Sequence, residues 1–284
     1  MLKQRIITAL VLLAILLPAT FHASIVPFGL VTLVLLACAG WEWARLNAFG
    51  STAARASGVA CALLCGASWM LDWPFARLGP VWWAVGGFWV LASAWALRAG
   101  AAAWLALSPV LRLVGGLLLL WAAWLAVMQA RLMGVNFLLS VLALVWTADI
   151  GAYFSGRALG GKFFANKLAP SISPGKTWEG VVGGAVAVLL VACCWIYADG
   201  RAAPQSTSLY TRLWNMGLPL LLLGIAFLTA MSVVGDLVES LFKRAAGVKD
   251  SSNLLPGHGG VLDRVDALLP TLPLALMLIS GGVA

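Results

Sequence analysis

The stretch Ser240–Asp266 sets Lys243, Arg244, Lys249 and Arg264 beside Asp250, Asp263, Asp266 and His258, in a chain that is otherwise oily. Just upstream, Asp236, Glu239 and Ser240 share one helix face through their i, i+3 and i+4 relations. Asp263 and Asp266 again stand three apart. Between the two sets, Leu254-Leu-Pro-Gly-His-Gly-Gly260 is too rich in glycine and proline to remain helical. A loop folding back over this break brings Asp236 and Asp263 to one point. Paired carboxylates beside lysines and arginines suit Mg²⁺ bridging to phosphate oxygens, so the pattern points to metal-assisted phosphoryl chemistry. His258 alone adds little, since a glycine-flanked histidine in a tight turn can simply orient the loop.

A second polar stretch runs from Asp149 through Arg157, Lys162 and Lys167 to Ser171-Ile-Ser-Pro-Gly-Lys-Thr-Trp-Glu-Gly180. Its Ser-Pro-Gly-Lys-Thr looks superficially like the end of a nucleotide-binding P-loop. That motif needs an earlier glycine where Pro170 stands, and a preceding strand, so a Walker-type loop is rejected. The same residues can still hold phosphate: Lys176 offers a mobile positive charge, and Ser171, Ser173 and Thr177 offer hydroxyl donors. A helix is expected to start near Lys176, with Glu179 in its first turn, where a carboxylate is also favoured by the helix dipole alone. Asp149 sits at the inner end of an apolar run, where an uncompensated carboxylate is expensive, which marks it as a candidate site residue.

The elements that must position these groups are membrane spans. The 284 residues are 62% hydrophobic and 10% charged, against about 25% charged in ordinary soluble domains. Nine apolar runs approach the roughly 20 residues needed to cross a bilayer. They lie near 6–23, 25–43, 56–71, 79–97, 112–130, 132–152, 180–197, 215–235 and 265–283. The expected fold is all-α, a polytopic integral membrane protein of about nine transmembrane helices with two polar cytoplasmic loops. The alanine-rich piece 99–111 either extends a neighbouring span or lies at the interface. Residues 1–144 then read as N-terminal spans, and 145–284 as a catalytic region with inner loops 153–179 and 236–264.

A cytoplasmic N-terminus places 14 basic residues inside and leaves Arg77, Arg131, Arg201 and Arg212 outside, as the positive-inside rule expects. The net charge of +8 is spread over interhelical segments, which suits topology and anionic lipid rather than nucleic acid. The cysteines, Cys38, Cys61, Cys65, Cys193 and Cys194, sit in apolar runs without ligand or staple spacing. Tryptophans such as Trp41, Trp43, Trp69, Trp73, Trp82, Trp83 and Trp89 fall near predicted span ends and read as an interfacial belt.

The run from Ser240 to Asp266 fits S-x-[apolar]-K-R-x4-K-D, a spacer, and P-x-H-G-G-[apolar]-x-D-R-[apolar]-D, and so resembles the CDP-diglyceride synthetase (phosphatidate cytidylyltransferase) family. The Ser-Pro-Gly-Lys-Thr-Trp-Glu-Gly segment resembles the other inner loop of that family; together the likeness covers roughly residues 145–284. It implies transfer of CMP from CTP to phosphatidic acid, giving CDP-diacylglycerol and pyrophosphate, in a bacterial inner membrane with the N-terminus and both loops cytoplasmic. It implies Mg²⁺ on Asp236 and Asp263, with the number of metals and any accompanying monovalent cation left open, as is a homodimer.

By the same resemblance Asp250 and Asp266 become secondary ligands or orient the basic residues. Lys243 and Arg244 are assigned to the lipid phosphate or to pyrophosphate, and Lys176, Ser173 and Thr177 to another phosphate. Arg264 becomes a bidentate contact, and Asp149, Glu179, Ser240 and Lys249 complete the expected substrate site. A transporter would instead carry carboxylates mid-span and paired halves. A CDP-alcohol phosphotransferase would need D-G-x2-A-R, into which Asp149-Ile-Gly does not develop.

Overall fold

The computed structural model describes residues 2–280, and these are helical with no β-strand longer than an isolated bridge. Eight of its helices are long and apolar enough to cross a membrane: α1 (Leu2–Phe21), α2 (Val26–Leu46), α3 (Ser51–Met70), α4 (Gly79–Ala106), α5 (Pro109–Leu132), α6 (Val135–Leu159), α7 (Trp178–Ala202) and α9 (Leu218–Ala245). Between the last two lies the short α8 (Leu209–Asn215). The expected ninth span divides into one turn, α10 (Leu262–Val265), and α11 (Leu268–Ser280), whose 13 described residues are mostly buried against α4, α5 and α9. Its described part is enclosed by protein, whereas each of the eight long helices leaves large apolar side chains exposed. The alanine-rich piece extends α4 across a break at Gly100, whose φ of +77° a side chain would resist.

Close pairing follows small residues. α6 lies along α7 so tightly that a Cβ at Gly184 would fall 2.7 Å from the Ala148 carbonyl oxygen. α2 and α3 meet likewise, a Cβ at Gly58 falling 2.8 Å from the Ala37 oxygen. Lipid supplies no hydrophobic drive between helices, so such backbone approach is what dispersion can use.

Several tryptophans expected in an interfacial belt are internal instead. Trp43, Trp82 and Trp89 are buried, and two of them find partners for their indole N–H: Trp43 donates to the Arg112 carbonyl at 3.0 Å and Trp82 to Gln129 Oε1 at 2.9 Å. An indole that satisfies its N–H inside the bundle gains more from packing than from a headgroup position. The tract 198–214, in which the sequence shows no chemistry, is a structural knot. There Asp199 accepts from Asn136 Nδ2, the Ser208 amide and Thr211 Oγ1 at 2.9, 3.0 and 2.6 Å.

The N-terminus of α1, the C-termini of α2 and α9, and the loop 246–261 share one end of the molecule. Thr8 Oγ1 donates to the Pro256 carbonyl at 2.9 Å, and Gly257 packs against Arg5. Replacing Gly184 by leucine should therefore splay α6 from α7 and destabilise the fold by about 1–3 kcal/mol, read as a lowered thermal midpoint in detergent. An unchanged midpoint would show that this crossing is not close-packed.

Candidate active site

Two lysines organise the loop-bearing end. Lys176, two residues before α7, reaches across to α9 and sits 2.7 Å from Asp236 Oδ2. On the other oxygen of that carboxylate, Ser240 Oγ donates at 3.3 Å from one turn further along α9. Lys243 is one turn beyond Glu239 and pairs with it, while the same ammonium lies 2.6 Å from Asp263 Oδ1 at the start of α10. The i, i+4 geometry of α9 aims these groups to one side, and the break after Ala245 lets the chain return to meet them.

Asp263 is also the hub of its loop. Its Oδ2 accepts from the Ser251 amide, Ser251 Oγ and the Gly260 amide, each at 2.8 Å. Gly259, at φ +81°, must be glycine for a second reason, because a Cβ there would lie 2.7 Å from Asp263 Oδ2. Burial alone would raise the Asp263 carboxyl, but Lys243 and the Gly260 and Ser251 donors outweigh it and hold it down at about 2.

Asp149 and Asp266 complete the acidic set. Both feel the charge of Asp236, and Asp149 also feels that of Lys176. The Asp266 carboxylate accepts from the Ala267 amide at 2.7 Å, and Gly235 lets α9 approach the Asp266 backbone. Asp236 and Asp263 share no partner: each holds its own lysine. Among the described residues no three acidic, histidine or cysteine side chains form a ready-made metal cage.

Other expected site residues serve the architecture. Thr177 is the N-cap of α7, its Oγ1 accepting from the Gly180 amide at 3.1 Å. Glu179 is buried, and its Oε1 accepts from the amides of Gly161, Phe163 and Phe164 at 3.0, 3.1 and 3.0 Å, pinning the turn after α6. The backbone N–H of Ser173 donates a hydrogen bond to the Ala169 carbonyl oxygen at 2.9 Å, which folds its own loop. Arg264 grips the His258 carbonyl through Nε at 2.9 Å and Nη2 at 2.5 Å, so His258 enters through its backbone. Arg244 reaches the Ile172 carbonyl at 3.5 Å and thereby touches both loops, while Lys249 and Asp250 are exposed.

The residue the sequence reading passed over is Glu42. It lies near the end of α2 with no accessible surface, and its carboxylate accepts from Ser252 Oγ (2.6 Å), the Val261 amide (2.9 Å) and the Leu262 amide (2.8 Å). It thus satisfies the first turn of α10 from a helix more than 200 residues away in sequence. A signal existed: an acid between Trp41 and Trp43 in an apolar span demands a partner.

Fold and site together define an integral membrane protein with lysine–carboxylate pairs gathered at one end. The family model described as "Cytidylyltransferase family" matches residues 3–281. A Pseudomonas aeruginosa protein named phosphatidate cytidylyltransferase is 42% identical over 289 residues, covering 99% of this chain and 98% of that one. Proteins of the same name are similar over the second half: from Haemophilus influenzae, 48% identical over 49% of this chain and 44% of theirs, and from Brucella suis, 47% identical over 53% and 48%. The chain belongs to the cytidylyltransferase family, and it is a nucleotidyltransferase enzyme.

Two outcomes follow from this geometry. Glu42→Ala leaves the buried Val261 and Leu262 amides without acceptors, at about 1–3 kcal/mol each, so hydrogen exchange across 251–262 should accelerate strongly; unaltered exchange would remove Glu42 as the anchor. Asp263 has a folded pKa below its unfolded value of 3.8, so its ionised form is the stabilising one. That contribution is complete above the unfolded value and is lost as pH falls through it toward about 2. An acid titration of tryptophan fluorescence should show a loop transition in this window, absent in Asp263→Asn.

Proposed function

We propose that this protein transfers CMP from CTP to phosphatidic acid, releasing pyrophosphate and forming CDP-diacylglycerol, at the cytoplasmic face of a bacterial inner membrane. The observation that carries the reading is the pair of ammonium groups, Lys176 on Asp236 and Lys243 on Glu239 and Asp263, at one end of a cytidylyltransferase-family bundle. The names of the relatives supply the two substrates.

In the reaction a phosphate oxygen of phosphatidic acid forms a bond to the α-phosphorus of CTP. The bond from that phosphorus to the β-phosphate bridging oxygen breaks, and the electron pair leaves with pyrophosphate. The attacking oxygen is already an anion near neutral pH, so no strong base is needed. The obstacle is bringing two polyanions together, which calls for charge neutralisation and positioning. Lys176 suits the first role, being partly accessible and tethered to Asp236 rather than sealed by it. Lys243 is more enclosed, with 12% of its side chain accessible, and suits a fixed positive floor.

The donor set also fits Mg²⁺. Asp236, Asp263 and Asp266 offer carboxylate oxygens, Ser240 stands beside Asp236, and Asp236 and Asp263 each hold a lysine ammonium, a spot where the carboxylate already favours a cation. Asp236 and Asp263 would hold the ion, with Asp266 as a further oxygen ligand. When bound it would screen the α-phosphate and make its phosphorus more electrophilic.

Purified protein given labelled CTP and phosphatidic acid should yield lipid-soluble nucleotide and pyrophosphate only when Mg²⁺ is present. Asp236→Asn should lower this turnover by at least about a hundredfold while leaving the thermal midpoint near wild type; full activity in that variant would refute the assignment. Lys176→Ala should raise the KM for one anionic substrate by about tenfold, and kinetics unchanged with both substrates would return Lys176 to a topological role.

A further inference from the structure

A cavity of about 410 Å³ opens beside this site, within the roughly 300–1,000 Å³ range typical of ligand pockets. Its walls are apolar and aromatic, with Trp43, Trp89, Trp104 and Phe242 prominent. At its inner end Gly235, Glu239 and Asp266 join it directly to the carboxylate and lysine cluster. Its rim carries Phe88, Trp95 and Leu111, which are 52, 43 and 58% exposed, so the mouth lies on the flank that faces lipid rather than on the polar end.

The one basic group on this apolar wall has no ion-pair partner among the described residues. Arg112, in the first turns of α5, is only 8% exposed and lines the cavity. Its Nε has no hydrogen-bond partner, and its guanidinium makes no ion pair among the described residues. It lies over the Trp104 ring at 5.8 Å, while its backbone oxygen is held by Trp43. A buried, unpaired guanidinium is expensive unless an anion reaches it, and its planar donors match phosphate. Glu239 and Asp266 line the same cavity, but neither forms an ion pair with Arg112.

We propose that this slot, between α4, α5, α9 and α11, is where the lipid substrate docks, with Arg112 taking its phosphate and the aromatic walls its acyl chains. The inference rests on the CMP-transfer reading and names the residue that selects a diacylglycerol phosphate from the bilayer. A nucleotide triphosphate also carries phosphates, but it would have to enter through apolar walls and a lipid-facing mouth.

The test uses full-length protein in phosphatidylcholine vesicles. Arg112→Gln should raise the KM for dioleoyl phosphatidic acid by about tenfold or more with the KM for CTP unchanged, and Arg112→Lys should recover part of the loss. A shift of equal size for CTP, or none for either substrate, overturns the proposal. Should Arg112→Gln fail to fold, Gly115→Leu decides, since Gly115 lines the slot and a Cβ there meets nothing within 4 Å. That variant should weaken use of dioleoyl but not dihexanoyl phosphatidic acid, and an equal effect on both lipids counts against the slot. Should the wild type transfer no CMP, the reaction fails while the slot is judged separately by binding. Brominated-chain phosphatidic acid should then quench indole fluorescence more than brominated phosphatidylcholine, and Arg112→Gln should erase the difference; equal quenching in the wild type overturns the slot as well.

Discussion

A single ammonium, that of Lys243, holds the polar end of this bundle together. It is shared by Glu239 on its own helix and Asp263 beyond a glycine-rich break. Bringing these charges out of water costs several kcal/mol per ion, and only close pairing with further hydrogen bonds offsets that. The further bonds are present, for the second oxygen of Asp263 collects two amides and a hydroxyl from the loop that Lys243 closes. The loop therefore takes its shape from the ion pair, and the ion pair is tolerable because of the loop.

The acids of this end divide by what occupies their oxygens. Glu42, Glu179 and most of Asp263 are committed to backbone amides, where they complete helix starts and fix turns. Asp149, Asp236 and Asp266 carry fewer protein bonds, and Asp236 rests on Lys176. Carboxylate oxygens left open in this way favour whatever cationic group or ion arrives next. Structural and chemical carboxylates thus sit side by side, built from the same residue types.

Much of this was legible beforehand. The spans showed because residues facing lipid must be apolar, and the loop signature showed because charged groups at fixed spacing beside hydrocarbon are rarely accidental. The helix expected near Lys176 starts at Trp178, with Thr177 as its cap. What the sequence hid was tertiary. A hydroxyl read as a phosphate donor also caps a helix, and three of the tryptophans read as a belt, Trp43, Trp82 and Trp89, fill the interior while Trp83 stays exposed. Arg112 counted only as a topological charge until the cavity beside it was visible. Glu42 could be suspected from its setting, but nothing local names partners more than 200 positions downstream.

Glu42 has a consequence for how the chain can be divided. Residues 1–144 look like generic anchor, and residues 145–284 carry every group that resembles catalytic machinery. Yet the turn bearing Asp263 is clamped by a carboxylate from the second helix, and the tip of its loop rests on Thr8 of the first. A chimera that fused the latter half to foreign membrane anchors would inherit all the reactive side chains and lose the brace that keeps them in register.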